Sequence, residues 1–140
     1  MTEPVIILFA CVHNCGRSLA AKVLTEHYGH GAVEVRSAGS EPSSSLNPVV
    51  VQVLHERGLS THGEKPKLLT YDGVQAADLV ITMGCGETCP VFPGTRYEDW
   101  SLDDPKGQEL ATVRRIVDEI DARVRTLLVE LGVTCPAEAN

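Results

Sequence analysis

The chain has no long hydrophobic run, no internal repeat, no linker and little positive charge. Its 12 Lys and Arg stand against 19 Asp and Glu, a formal charge of −7 over 140 residues. That balance argues against a nucleic-acid partner and against docking on an anionic membrane, both of which need basic patches. An anionic ligand would have to be attracted by local positive groups, because the field of the whole molecule opposes it. The apolar run nearest the start, Val5 to Ala10, is six residues long and follows the acidic Met1-Thr2-Glu3-Pro4. It is too short and wrongly flanked for a signal peptide or a membrane span. The expectation is a cytoplasmic protein, where thiols stay reduced and five cysteines suggest reactivity more than a disulfide framework. The length suits a single domain over residues 1–140, with a core over about 5–131 and a loose tail at 133–140.

What is present is concentrated near the start. Val5-Ile6-Ile7-Leu8-Phe9-Ala10 reads as a strand buried on both faces of a parallel sheet. It runs into Cys11-Val12-His13-Asn14-Cys15-Gly16-Arg17-Ser18, a cysteine followed after five residues by arginine and serine. At a strand-to-helix junction such a cysteine meets backbone N–H groups, a guanidinium and the positive end of a helix. All three favour the thiolate and a tetrahedral oxyanion bound before it. A cysteine at a strand end can also be a small buried hydrophobe; Gly16, Arg17 and Ser18 at these offsets favour the anion site. Ser18 is expected to cap a helix with apolar positions Leu19, Ala20, Val23, Leu24 and His27, ending at Gly29 and Gly31. Ala32 to Ser37 reads as a second strand, completing a βαβ unit.

Ser37 to Ser45 is a serine-rich surface loop, and Asn47-Pro48 opens a second helix ending at Gly58. Tyr71 to Ala77 has room for one or two helical turns, Asp78 to Met83 is a third strand, and Arg96 to Trp100 a fourth. Val113, Ile116, Val117, Ile120, Val124, Leu127, Leu128 and Leu131 form one apolar stripe on a final helix stopped at Gly132. Strands alternating with helices predict an α/β domain of three layers, a four-stranded parallel sheet covered by helices. In such sheets ligands bind beyond the carboxyl ends of the strands, the level of Cys11, Gly84–Cys89 and Asp103–Asp104.

Two further elements carry chemistry. Cys85 and Cys89 are four apart and flanked by Gly84, Gly86 and Pro90. On a helix they would share a face, near the upper end of the Cα separation a disulfide tolerates. Independent, partly buried cysteines are one alternative. Another is zinc held by Cys11, Cys15, Cys85 and Cys89, although Gly16-Arg17-Ser18 has no purpose around zinc. Asp103-Asp104-Pro105 puts carboxylates in a loop returning to the sheet edge, where an acid could protonate an oxygen leaving a bound oxyanion. The histidines add little, and His13 is expected to face solvent from the loop.

Cys-x5-Arg-Ser, Ser37-Ala38-Gly39 after the second strand and Asp104-Pro105 before the last helix resemble the low-molecular-weight protein tyrosine phosphatase fold. Within that group, Cys85-Gly-Glu-Thr-Cys89-Pro resembles the arsenate reductases built on it, of the thioredoxin-coupled type. The resemblance implies a phosphotyrosine phosphatase I-like fold and an oxyanion loop of Val12, His13, Asn14, Cys15, Gly16, Arg17 and Ser18. It implies Cys11 as nucleophile, Arg17 as oxyanion clamp, Ser18 as a hydroxyl steadying the thiolate and Asn14 as the loop's internal hydrogen-bonder. Asp104 is implied as general acid, Cys85 as the resolving cysteine and Cys89 as its partner. Arsenate is the implied substrate and thioredoxin the implied reductant, with a mycothiol/mycoredoxin-type thiol as alternative and no cofactor. The resemblance leaves two other outcomes open, a phosphatase acting through a Cys11 phosphocysteine and a non-enzymatic redox or zinc-binding module. Some relatives hold potassium with carboxylates behind the loop. The matching positions here read as Lys22 and Lys65; their ammonium groups either fill that pocket or are solvated at the surface, and no metal is expected.

Overall fold

The computed structural model describes residues 4–29, 31–83 and 92–133. Cys85, Cys89 and Cys135 lie outside the described residues, and with them everything expected of the Cys85–Cys89 pair. Eight elements follow one another: β1 (Val5–Cys11), α1 (Arg17–Gly29), β2 (Val33–Gly39), α2 (Pro48–Glu56), α3 (Tyr71–Ala76), β3 (Leu79–Thr82), β4 (Arg96–Asp99) and α4 (Leu110–Glu130). The four strands pair in parallel in the order β2-β1-β3-β4. β1 is therefore internal and β2 and β4 are edges.

Strand position explains strand composition. In β1 both faces are covered: Ile7, Phe9 and Cys11 pack into the larger core, Leu8 and Ala10 into a smaller one, hence the unbroken apolar run. On the edge strand β2, Val33, Val35 and Ser37 are buried while Glu34 and Arg36 are exposed, the alternation of a strand with one wet face. The larger core joins that sheet face to α1, α2 and α4, with Phe9 tilted against Trp100 at 5.6 Å between ring centroids. The opposite face is covered more thinly by Val74 of α3, Ala77 and the partly buried Leu69 and Phe92.

The α4 stripe packs as its periodicity predicts, with every member from Val113 to Leu128 buried. For α1 the predicted stripe is too narrow. Between the sheet and α4, all residues from Ser18 to Thr25 are buried, Lys22 and Thr25 included. His27, expected on the apolar face, is exposed. Tyr28 is buried in its place and donates its hydroxyl to Asp121 Oδ2 at 2.8 Å. Burial raises the pKa of Tyr28 above the usual phenol range, and the bond to Asp121 adds to this. Asp121 also accepts from Arg57 Nη1 at 2.9 Å and Arg125 Nε at 2.7 Å, so its burial is compensated by two guanidinium groups. No helix among the described residues is long and apolar enough to cross a membrane.

Candidate active site

The carboxyl end of β1 lies between those of β2 and β3, and the five residues 12–16 turn the chain there into α1. The serine-rich segment, expected only to be a surface loop, backs this turn. The amides of Ser40, Glu41, Ser43 and Asn47 donate to the carbonyls of Cys11, Val12, His13 and Cys15 at 3.2, 2.8, 3.0 and 2.9 Å. In a trans peptide the C=O and the following N–H point in opposite directions. With its carbonyls drawn towards residues 40–47, the loop turns its amides the other way. The Asn14 amide does so and donates to Cys11 Sγ at 3.2 Å.

Asn14 organises the surroundings of Cys11. It is 1% exposed, and among the described residues it is the one non-glycine with positive φ, at 52°. Its Oδ1 accepts from the Lys67 amide at 2.8 Å, and its Nδ2 donates to Ser18 Oγ at 2.7 Å. Ser18 Oγ in turn lies 2.9 Å from Cys11 Sγ. Because Lys67 offers an N–H, the Asn14 amide has only one workable orientation. The hydroxyl then accepts a hydrogen bond from Asn14 and can donate its own to sulfur. The hydrogen-bond direction runs from Asn14 through Ser18 to Cys11, which suits sulfur as an anion. Ser18 is thus no helix cap: α1 begins at Arg17, and the hydroxyl is spent on the cysteine.

Two glycines allow the close approach. A Cβ on Gly39 would lie 2.6 Å from the Val12 carbonyl oxygen and 2.9 Å from the Asn14 nitrogen. One on Gly16 would lie 2.8 Å from Pro105 Cγ, so Gly16 lets the acidic loop settle on the oxyanion loop. Arg17 reaches the same acidic loop, donating from Nη1 to the Leu102 carbonyl at 3.3 Å and placing Nη2 3.8 Å from Asp104 Oδ2.

Asp104, Pro105 and Lys106 close a small pocket with Cys11, Cys15, Gly16, Arg17, His13 and Asn47. Asp103 turns outward, is 76% exposed, and lies 3.9 Å from Arg115. His13 is partly buried, with Nδ1 3.1 Å from the Glu41 carbonyl. Since a carbonyl only accepts, that nitrogen carries the proton, and the partly exposed ring is tethered by this bond. A larger hollow lies between β4 and α4, lined by Glu98, Trp100 and Arg123 among others, and no cysteine is among its lining residues.

The residues behind the loop differ from the two-lysine expectation. Lys65 is exposed. Lys22 is buried, its Nζ 2.9 Å from Glu26 Oε1 and 2.8 Å from Glu64 Oε2. Burial lowers its pKa, but the bonds and charges of Glu64 and Glu26 outweigh this and leave it raised. An ammonium already satisfies these carboxylates, so the residues present do not fit a potassium ion. Sequence reading named Gly39 only within the Ser37-Ala38-Gly39 motif, without its steric role, and missed Glu64 and the Lys67 amide. The last acts through its backbone, which side-chain chemistry does not reveal.

The profile of the family described as low molecular weight phosphotyrosine protein phosphatase matches residues 6–135. The chain is 34% identical over 129 residues to a putative arsenate reductase of Halobacterium salinarum, covering 89% of this chain and 91% of that one. It is 30% identical over 129 residues to a glutaredoxin arsenate reductase of Synechocystis sp., covering 90% and 98%. Among solved structures, the thioredoxin-dependent arsenate reductase of Corynebacterium glutamicum has a TM-score of 0.84 and 46% identity over 94% of this chain. This chain spans 64% of the length of that protein. The fold, the oxyanion loop and these likenesses agree: the chain belongs to the low molecular weight phosphotyrosine protein phosphatase family.

Proposed function

We propose that the protein reduces arsenate to arsenite by a relay of thiols that begins at Cys11. The observation that carries this reading is the convergence of Cys11, Arg17 and Asp104 on one small pocket. The thiolate of Cys11 attacks arsenic(V), Arg17 and the loop amides hold the oxyanion, and Asp104 protonates the departing oxygen, which leaves as water. Cys85 then attacks the Cys11 sulfur. The S–As electron pair stays with arsenic, which departs as arsenite, arsenic(III), and a Cys11–Cys85 disulfide forms. Cys89 attacks Cys85 and frees Cys11, and an external dithiol protein reduces the Cys85–Cys89 disulfide. In the sequence Cys85 stands two residues beyond Met83, whose amide donates to the Ala10 carbonyl at 2.7 Å, beside Cys11.

A phosphatase would share the first step, through a Cys11 phosphocysteine. Two observations favour the reductase. Phosphorus(V) is not reduced by thiols, which would leave Cys85 and Cys89 without a task. Among the described residues no Phe, Tyr or Trp lines the pocket to stack on an aryl ester, whereas Arg17 and Lys106 offer positive charge to a small inorganic anion. Thioredoxin in the cytosol is the proposed reductant, supported by the two cysteines after β3 and by the thioredoxin-dependent structural relative. A mycothiol/mycoredoxin-type system is the second candidate. The test is arsenite production from arsenate with each reductant. Cys11→Ser should abolish it together with any aryl phosphatase activity, and arsenite above trace from that variant overturns the reading.

A further inference from the structure

Residues 64–69 form a strap along the back of the oxyanion loop. The Lys67 amide donates to Asn14 Oδ1, the Gly39 amide donates to the Lys67 carbonyl, and the Leu69 amide donates to the Gly39 carbonyl, each at 2.8 Å. The strap therefore fixes both Gly39 and the orientation of the Asn14 side chain. Its leading end carries Glu64, bonded to Lys22 on α1. Lys22 lies four residues after Ser18, one turn along the same helix. The ion pair thus joins the strap, which orients Asn14, to the helix that carries Ser18; Ser18 reaches Cys11 Sγ through its hydroxyl, and Asn14 through its backbone amide and, by its side chain, through Ser18.

We propose that Lys22 and Glu64 are positioning residues for the nucleophile: their ion pair holds the Lys67 amide against Asn14 and so keeps the Asn14–Ser18–Cys11 hydrogen-bond chain directed at the sulfur. The pair touches neither substrate nor Cys11. Its site is suited to the task, since the Lys22 side chain is 11% exposed and the Glu64 side chain 14%, little screened by solvent. Glu26, on the same helix as Lys22 and 49% exposed, takes a second proton of the ammonium but ties α1 only to itself. Glu64 is the partner that reaches across to the strap. A loosened strap lets the Asn14 amide rotate, and a rotated amide no longer donates to Ser18.

The proposal rests on Cys11 being the nucleophile, and its test separates the two ideas. Iodoacetamide alkylation of Cys11 is followed in the intact protein by fragment-resolved mass spectrometry, with Cys15 as internal reference and inorganic phosphate as protecting anion. In the unaltered protein Cys11 should react faster than Cys15 and be protected by phosphate. Failure of either overturns the assignment of Cys11 itself. Glu64→Gln and Lys22→Met should each slow Cys11 alkylation by about three- to tenfold at one pH, as expected when a directed hydrogen bond is lost, with Cys15 unaffected and Lys22→Arg restoring the rate. In an Asn14→Ala background Glu64→Gln should have no further effect, because the path through Asn14 is already cut. Should Asn14→Ala not fold, Lys67→Pro, which deletes the donating N–H, serves as the background. A folded Glu64→Gln protein with unchanged Cys11 reactivity, or an equal effect of Glu64→Gln with and without Asn14, overturns the proposal. A pair that only stabilised the fold would lower the melting temperature and leave alkylation well below it untouched.

Discussion

Asn14 makes three hydrogen bonds within the site, one through its amide and two through its side chain, while sitting in left-handed backbone. That conformation is tolerated best by glycine and asparagine, and only asparagine adds the side-chain donor and acceptor. Cys11 and Ser18 depend on it for direction. The proposed acid shows the same dependence on surroundings. Asp103 and Asp104 are neighbours of identical chemistry, yet only Asp104 lines the pocket beside Arg17, while Asp103 faces Arg115 in solvent. Asp104→Asn should therefore slow the first chemical step by roughly 10²–10⁴-fold, the usual loss for general acid catalysis, and leave tetrahedral anion binding nearly unchanged. Asp103→Asn should be near neutral. Single-turnover kinetics on both variants decide it, and a crippled Asp103→Asn would reverse the assignment. Gly39→Ala should be costly for a steric reason: the new methyl meets the backbone of Val12 and Asn14, which cannot rotate away. A loss of about 1–3 kcal/mol of stability is expected, as for other forced contacts, together with weaker phosphate binding in thermal shift assays. Unchanged phosphate binding would show that Gly39 is not what lets the loop close.

At the scale of elements, α2 was legible because its signals are local. Asn47 accepts from the amides of Val49 and Val50 at 2.9 and 3.3 Å with Pro48 at the first helical position, as the dipeptide predicts. The same residue donates its own amide to the Cys15 carbonyl at 2.9 Å, so the cap also closes the oxyanion loop. Asn47→Ala keeps that amide and removes the side-chain acceptor. It should lower stability by about 1 kcal/mol, the usual value for a lost cap, seen as a shift of urea midpoint without change of slope. A shift indistinguishable from zero would mean that water replaces the side chain there. α1 was less legible. Its predicted stripe omits Ala21, Lys22 and Thr25 and includes His27, because an outward-polar face is assumed, whereas this helix is covered by the sheet on one side and α4 on the other. For Ser18 the local reading as a helix cap fails for a similar reason, since the hydroxyl lies against a cysteine seven residues back, as the family resemblance implied.

For the whole molecule, net charge and redox chemistry set the terms. A chain of charge −7 draws an arsenate dianion only through the few positive groups at its pocket, Arg17 and Lys106, and the loop amides. In the proposed relay, turnover requires electrons to leave by Cys85 and Cys89. Cys89→Ser should release about one arsenite per enzyme and stop with a Cys11–Cys85 disulfide when thioredoxin is the sole reductant, since Cys85 performs the first exchange and Cys89 the second. Quenched samples analysed for arsenite and for the disulfide-linked peptides give the answer, and sustained turnover by this variant contradicts the relay.

The sequence by itself determined what is local or repetitive. The unbroken apolar run made β1 internal, the regular stripe defined α4, Asn47-Pro48 started α2, and Cys11-x5-Arg17-Ser18 marked the turn from β1 into α1. Each depends on residues within a few positions of one another, where backbone geometry alone fixes what can meet. Only the tertiary structure decided which aspartate faces the pocket, why Gly39 cannot be larger, why Lys22 is buried, and that an amide at Lys67 aims the asparagine at position 14. Those contacts join residues 25 to 93 positions apart, such as Gly39 with Asn14, Lys67 with Asn14, and Asp121 with Tyr28. They are set by the register of β1 against β2 and by the path of the 64–69 strap, and a backbone donor or a steric limit leaves no mark in residue type.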